Sequence, residues 1–281
     1  MATGQSVMNL EVNGLRYHVE TVGEGYPLVV LHGFTGSGEN WRSLSGQWSE
    51  HSKVIMIDII GHGETESPVD FSRYGMDFAV HDLAALLEKL GFDQVDFLGY
   101  SMGGRLALSF AVTHPERVRK LVLESASPGL KTEAERALRR ENDAKLAEMI
   151  RTEGIESFVN YWERIPLFAS QLLIPREVRE QTRKQRLANS VAGLSGSLLG
   201  MGTGAQSSCW EALGQLSCEV LLITGELDKK FCQIASEMVD LVKNSKWVVV
   251  DQCGHAIHVE QPEKFGTIVS GFLKLHNKEE M

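Results

Sequence analysis

The sequence predicts an α/β fold: an eight-stranded, mostly parallel sheet covered by helices, with a helical segment inserted late in the sheet. Three observations carry this. Short, continuous apolar runs recur along the chain, as strands buried on both faces require. Amphipathic stretches of helical period alternate with them. Between the run ending near Leu123 and the run starting near Glu219, roughly ninety residues show no strand pattern.

The elements follow in order. Asn13-Gly14 separates two alternating stretches, 7–13 and 15–21, and predicts a two-residue hairpin. Apolar runs at 27–31, 53–59, 95–99, 118–123, 219–223 and 246–250 supply six more strands. Helices are expected at 76–90, 103–113, 231–242 and 262–275. In the first of these, Phe78, Leu83, Leu86, Leu87 and Leu90 recur at near-helical spacing, while Asp82, Glu88 and Lys89 fall elsewhere. From Thr132 to about Leu199 the chain reads as helices interrupted at Pro166 and Pro175. The expected division is therefore a core of 1–128 and 208–281 and a helical cap of 129–207. No internal repeat and no low-complexity linker is visible.

Composition narrows the function classes. A chain of 281 residues with 43% hydrophobic and 23% charged residues can bury a core without staples. A net charge of −9 lacks the electrostatic footprint of a nucleic-acid binder. Cys209, Cys218, Cys232 and Cys253 lie far apart and read as reduced thiols. No apolar run reaches the ~18 to 20 residues of a membrane span. The opening MATGQSVMNLEVNG has neither a basic nor an apolar region of a secretory signal, so the cytoplasm is the expected compartment. Oligomeric state is left open. The cap differs in charge from the rest: residues 131–186 hold twelve Lys and Arg, nine of them Arg, against ten Asp and Glu. Two readings stand, a solvated helix surface laced with i,i+4 pairs and an electropositive lid facing an anion.

The chemistry is concentrated in three stretches. Val95-Asp-Phe-Leu-Gly99-Tyr100-Ser101-Met102-Gly103-Gly104-Arg105 is a buried strand, then G-x-S-x-G, then a helical pattern. That sharp strand-to-helix turn needs small neighbours, exposes the serine Oγ, and sets it at a helix N-terminus beside the Met102 N–H. Asp228 lies just past the strand at 219–223, and His255 just past the strand at 246–250. The order Ser101, Asp228, His255 is that of α/β-hydrolases, in which the acid orients an imidazole that deprotonates the serine. In this fold the loop Leu31-His32-Gly33-Phe34-Thr35-Gly36 supplies the second oxyanion donor, here the Phe34 N–H. His32 is expected to brace that loop. Asp58-Ile-Ile-Gly61-His62-Gly63 reads as architecture and His258 as structural, and no histidine shows metal-ligand spacing. Neither metal nor cofactor is called for. Arg105 stands one helical turn after Ser101, where a cation opposes the macrodipole. It reads either as a surface arginine or as a carboxylate anchor beside the nucleophile.

Gly-Tyr100-Ser101-Met-Gly-Gly-Arg105, Glu124-Ser-Ala-Ser-Pro-Gly-Leu130, Arg139, Trp162 and Gly225-Glu-Leu-Asp228-Lys-Lys-Phe231 closely resemble the 2-succinyl-6-hydroxy-2,4-cyclohexadiene-1-carboxylate synthases of the menaquinone pathway. The resemblance spans the Phe34 loop to His255. It implies a lyase that eliminates pyruvate from an enolpyruvyl-bearing cyclohexene carrying a succinyl side chain. Ser101, activated by His255 and Asp228, would take a ring proton as general base, and the Phe34 and Met102 amides would stabilise the enolate. It also implies a small anionic polycarboxylate as partner, with Arg105 and Arg139 binding carboxylates and Tyr100 and Trp162 lining the pocket. Arg183 fits the third family arginine, although Arg186 in Arg183-Lys-Gln-Arg186 is a second candidate. Two rivals are an esterase or carbon–carbon bond hydrolase of the same fold and a non-catalytic binding protein. The complete triad with both oxyanion loops speaks against the second.

Overall fold

The computed structural model describes residues 4–274. Residues 1–3 and 275–281, the two ends of the expected core together with the last residue of the expected helix 262–275, lie outside the described residues. The chain runs β1 (Ser6–Val12), β2 (Leu15–Val22), β3 (Tyr26–Leu31), α1 (Arg42–Trp48), β4 (Ser52–Ile57), α2 (Met76–Lys89), β5 (Val95–Tyr100), α3 (Met102–Thr113) and β6 (Val118–Glu124). It continues through α4 (Glu133–Trp162), α5 (Arg176–Leu187), α6 (Val191–Met201), β7 (Glu219–Gly225), α7 (Lys229–Leu241), β8 (Ser245–Val250), α8 (Ile257–Glu260) and α9 (Pro262–Lys274). Asn13 and Gly14 both take positive φ, 50° and 77°, as the predicted hairpin turn demands.

The sheet has eight strands in the order β1-β2-β4-β3-β5-β6-β7-β8. The β1–β2 and β2–β4 pairs are antiparallel and every other pair is parallel. This is the α/β-hydrolase architecture. Alternation along each strand builds two cores. On β3, Val29 and Leu31 face α2 and α3 through Leu83, Leu86, Leu106 and Phe110, while Leu28 and Val30 face Trp48, Phe265 and Val269 of α1 and α9. The strand order reverses direction at β3, which has β4 on one side and β5 on the other. Ligand sites of open α/β sheets form outside the strand C-termini at such a point.

Two differences from the sequence reading have simple causes. The apolar run 53–59 stops as a strand at Ile57, because the Asp58 carboxylate turns back to accept N–H bonds from Gly38 (2.6 Å) and Glu64 (2.8 Å). Helix α1 was not expected; seven residues rich in Ser and Gly carry too little periodicity to read.

The helices between β6 and β7 pack on one another around Ala147, Ile150, Phe158, Val159, Leu194 and Leu198. Helix α4 starts at a capping box between Thr132 and Glu135 and breaks at Gly154, whose φ is 85°. A 3₁₀ segment, Pro166–Leu173, and Pro175 at the start of α5 mark the two predicted interruptions. Helix α6 approaches the loop after β4 closely, since a Cβ on Gly193 would lie 2.0 Å from the Gly61 carbonyl oxygen.

The loops at the reversal point are held by neutral imidazoles. His32 Nε2 accepts from the Ile59 N–H (3.0 Å), so Nδ1 carries the proton and donates to the Gly33 carbonyl (2.8 Å). His62 lies 5.1 Å from it, ring to ring. Burial pushes His32 down to about 4 and His62 down to about 3. The unfolded chain therefore takes up protons that the native state refuses. Their contribution to stability is complete above pH ~6.5 and is lost as pH falls towards those values, at about 1.4 kcal/mol per pH unit for each ring. Denaturant titrations at pH 7 and pH 5 should show this loss, and His62→Gln should flatten it by about one proton. An unchanged pH dependence in that variant would place the effect elsewhere.

Candidate active site

Ser101 sits between the last residue of β5 and the first of α3, with φ 50° and ψ −105°. A non-glycine residue held there is strained by roughly 1–3 kcal/mol and must be fixed by its surroundings. Its N–H donates to the Glu124 carbonyl (2.9 Å), and its carbonyl accepts from the Arg105 N–H (3.0 Å). Glycines let α3 lie against the strand ends. A Cβ on Gly103 would lie 2.4 Å from the Leu31 carbonyl oxygen, and one on Gly99 2.5 Å from that of Gly103. The register pairs Leu31 with Gly99, so the Phe34 loop and the serine turn emerge side by side.

The three dispersed residues meet. Ser101 Oγ lies 3.0 Å from His255 Nε2, and His255 Nδ1 lies 2.6 Å from Asp228 Oδ2. The carboxylate can only accept, so Nδ1 carries the proton and Nε2 is left to receive one from the serine. Asp228 also accepts from the Phe231 N–H (3.3 Å), which orients its carboxylate. His255 is buried between the rings of Phe231 (4.6 Å) and Tyr100 (5.4 Å). Burial raises the Tyr100 hydroxyl well above its ordinary value, so it stays protonated.

Ser101 opens into a cavity of about 180 Å³. Phe34, Tyr100, Met102, Arg105, Arg139, Trp162 and His255 line it, together with apolar side chains including Phe168 and Phe231. Asp228 stands behind His255. The Arg105 guanidinium is buried and donates to the Gln206 side-chain oxygen (2.6 Å) and the Met201 carbonyl (2.8 Å), both uncharged. Burial, with Arg139 nearby, lowers it to about 10, still a cation at neutral pH. Arg139 is half-exposed and paired with the buried Asp143 (2.8 Å). Trp162 packs on Phe34 (5.4 Å) and Phe158 (5.4 Å), and its buried Nε1 has no hydrogen-bond partner among the described residues.

Arg183 is not brought into this cavity. It pairs with Glu163 (2.7 Å) and Asn160 (2.8 Å) on the outer side of the α4–α5 packing. The other candidate, Arg186, is buried over the Phe168 ring (5.0 Å) and shares a recess of about 40 Å³ with Tyr100. Arg136, Arg151 and Arg176 form the i,i+3 and i,i+4 surface pairs of the plainer reading. His258 binds the fully buried Glu124 carboxylate (2.9 Å) beneath the site and serves packing. Sequence reasoning missed Gln206: it lies in an irregular segment after α6, and only the fold carries it to Arg105. Among the described residues no three of His, Cys, Asp and Glu converge as metal ligands would, and no helix is long and apolar enough to cross a membrane.

The crossing of α3 can be probed with two glycines. Gly103→Ala should cost about 1–3 kcal/mol, because its neighbour is rigid backbone. Gly271→Ala, on the open face of α9, should instead add about 0.4–1 kcal/mol. Urea unfolding of both variants measures the contrast, and equal effects would refute the close crossing.

Comparison with known proteins agrees with this geometry. Residues 26–262 match the family model described as alpha/beta hydrolase fold. A putative 2-succinyl-6-hydroxy-2,4-cyclohexadiene-1-carboxylate synthase of Bacillus subtilis (strain 168) is 48% identical over 95% of this chain and 98% of its own. The synthase of that name from Enterobacter sp. (strain 638) is 30% identical, over 91% of this chain and 95% of its own. The solved structure of MenH from S. aureus superposes with a TM-score of 0.88 at 38% identity, covering 92% of this chain and 98% of that one. The chain thus belongs to the alpha/beta hydrolase fold family and, within it, to the 2-succinyl-6-hydroxy-2,4-cyclohexadiene-1-carboxylate synthases.

Proposed function

We propose that this protein is the pyruvate-eliminating lyase of menaquinone biosynthesis, converting 2-succinyl-5-enolpyruvyl-6-hydroxy-3-cyclohexene-1-carboxylate to 2-succinyl-6-hydroxy-2,4-cyclohexadiene-1-carboxylate. One observation carries the reading beyond the family: a buried guanidinium with only uncharged partners stands in the same cavity as the triad serine. A cation held so has no carboxylate in direct contact, Asp143 acting on it only through space, and a polycarboxylate substrate supplies one. In this reading residues 129–207 form the lid, and 1–128 with 208–281 form the core. The cytoplasm is the compartment in which we place the reaction.

The bond changes follow from the two names. The proton lost is the ring C2–H, acidified by the succinyl ketone. Ser101 Oγ takes it while its own proton passes to His255 Nε2, and Asp228 steadies the imidazolium. The electron pair enters the ketone as an enolate, whose oxygen faces the Phe34 and Met102 N–H groups. Collapse of the enolate forms the C2–C3 double bond, shifts the C3–C4 pair to C4–C5 and expels enolpyruvate from C5. Protonation of the leaving enolate at carbon, by the proton that the Ser101–His255 relay took up, gives pyruvate and restores the relay. Arg105 and Arg139 bind carboxylates, Tyr100 and the free Trp162 Nε1–H shape and contact the ligand, and Arg186 is better placed than Arg183 for the third arginine.

A coupled assay for pyruvate release from the enolpyruvyl substrate tests the assignment directly. Ser101→Ala, His255→Ala and Asp228→Asn should each lower kcat by roughly 10²–10⁴-fold. They share one proton relay, so the double variants should be little worse than the singles. Losses that multiply would mean that the relay is misassigned. Because Ser101 acts as a base, rapid-quench intact-mass spectrometry during turnover should find no covalent adduct. An adduct on Ser101 would favour the esterase or carbon–carbon hydrolase chemistry of the same fold. Arg105→Ala should depress kcat/KM about tenfold or more, the worth of a charged hydrogen bond, and should lower Tm as well, because Gln206 and the Met201 carbonyl lose a buried donor. Wild-type kcat/KM in that variant would remove the arginine from substrate binding.

A further inference from the structure

The cavity's two arginines are balanced differently. Arg139 is neutralised by Asp143, whose carboxylate lies 2.8 Å away. Arg105 is held instead by the Gln206 amide oxygen at 2.6 Å and the Met201 carbonyl at 2.8 Å. Gln206 is buried, and its Nε2–H₂ meets no acceptor stronger than the Cys209 thiol among the described residues. Packing alone does not account for an amide here, because an apolar side chain of that size would leave no buried donor so weakly paired. Asp143 acts on Arg105 only through space; glutamate at 206 has the shape of glutamine, would reach the same guanidinium nitrogen and would give the buried cation a counter-charge in direct contact.

We propose that Gln206 is a positioning and specificity residue, whose neutral carbonyl aims the Arg105 guanidinium while leaving its positive charge to be answered by a substrate carboxylate. The inference rests on the reading of Arg105 as a carboxylate ligand. A carboxylate at position 206 would keep the aim and cancel the charge. An apolar isostere would keep the charge and lose the aim.

The test is steady-state kinetics and thermal unfolding of full-length Gln206→Glu and Gln206→Met, with Arg105→Ala as reference. Gln206→Glu should raise KM for the enolpyruvyl substrate about tenfold or more, as loss of a charged hydrogen bond would, with kcat within about twofold. Its Tm should equal or exceed that of the wild type, since Arg105 gains a buried partner. Gln206→Met should lower Tm and raise KM by a smaller factor. Wild-type KM in Gln206→Glu, a fall in its Tm, or identical behaviour of the two variants would overturn the proposal. If Arg105→Ala itself keeps wild-type KM, the reading of Arg105 fails. If Arg105→Ala raises KM and Gln206→Glu does not, only the role of Gln206 fails.

Discussion

The structure depends on one close crossing, that of α3 over the C-terminal ends of β3 and β5. Gly99, Gly103 and Gly104 bring helix backbone within contact of strand backbone, with Gly103 set against the Leu31 carbonyl. This crossing pins Ser101 at φ 50°, which an isolated chain would avoid. It also draws the serine turn beside the Phe34 loop, because Leu31 and Gly99 are register partners. The remaining two members of the triad come from β7 and β8, so the sheet order alone decides that they arrive at the same edge. The strain at the serine is offset by the cores on both faces of the sheet, where side chains such as Trp48, Phe97, Phe110 and Phe265 are fully buried.

Charge is distributed around that crossing with some economy. The loops that shape the site are braced by uncharged imidazoles, His32 and His62, which burial keeps neutral. Asp58 is tied by two backbone N–H groups, and Glu124 by His258. What is left lining the cavity is cationic: Arg105, Lys230 and, partly offset by Asp143, Arg139. On a chain with a net charge of −9, this local sign is opposite to that of the molecule. In the function proposed, such a pocket selects anions by leaving a charge to be satisfied, and the low dielectric of a buried wall strengthens the attraction.

The helices between β6 and β7 are more than a cover. Phe34 joins the sheet core to the cluster formed by α4 and α6, and Trp162 and Phe168 carry that cluster to the cavity. Phe168 lies 6.1 Å from the His255 ring and beneath the Arg186 guanidinium. Cavity lining and helix packing are therefore made by the same side chains, which is why Trp162 reads equally well as a core aromatic and as a pocket wall.

The sequence by itself determined what depends on local chemistry and period. Alternation of apolar runs and helical stretches set the α/β order, Asn13-Gly14 set the hairpin, and the glycines around Ser101 announced the strained turn. The triad was legible because each member follows a buried strand, a position that the fold always brings to the same edge. The tertiary structure decided what depends on long-range proximity. Arg105 was suspicious in sequence because a cation opposes the dipole at a helix start, yet its buried, uncharged partners come from positions 201 and 206. Arg183 and Arg186 sit three residues apart on one helix and look alike in sequence. Both reach Glu163 from one face of the helix, but Arg183 also meets Asn160 while Arg186 is buried over Phe168 and bound to Gln171, a difference set by packing that no local pattern encodes.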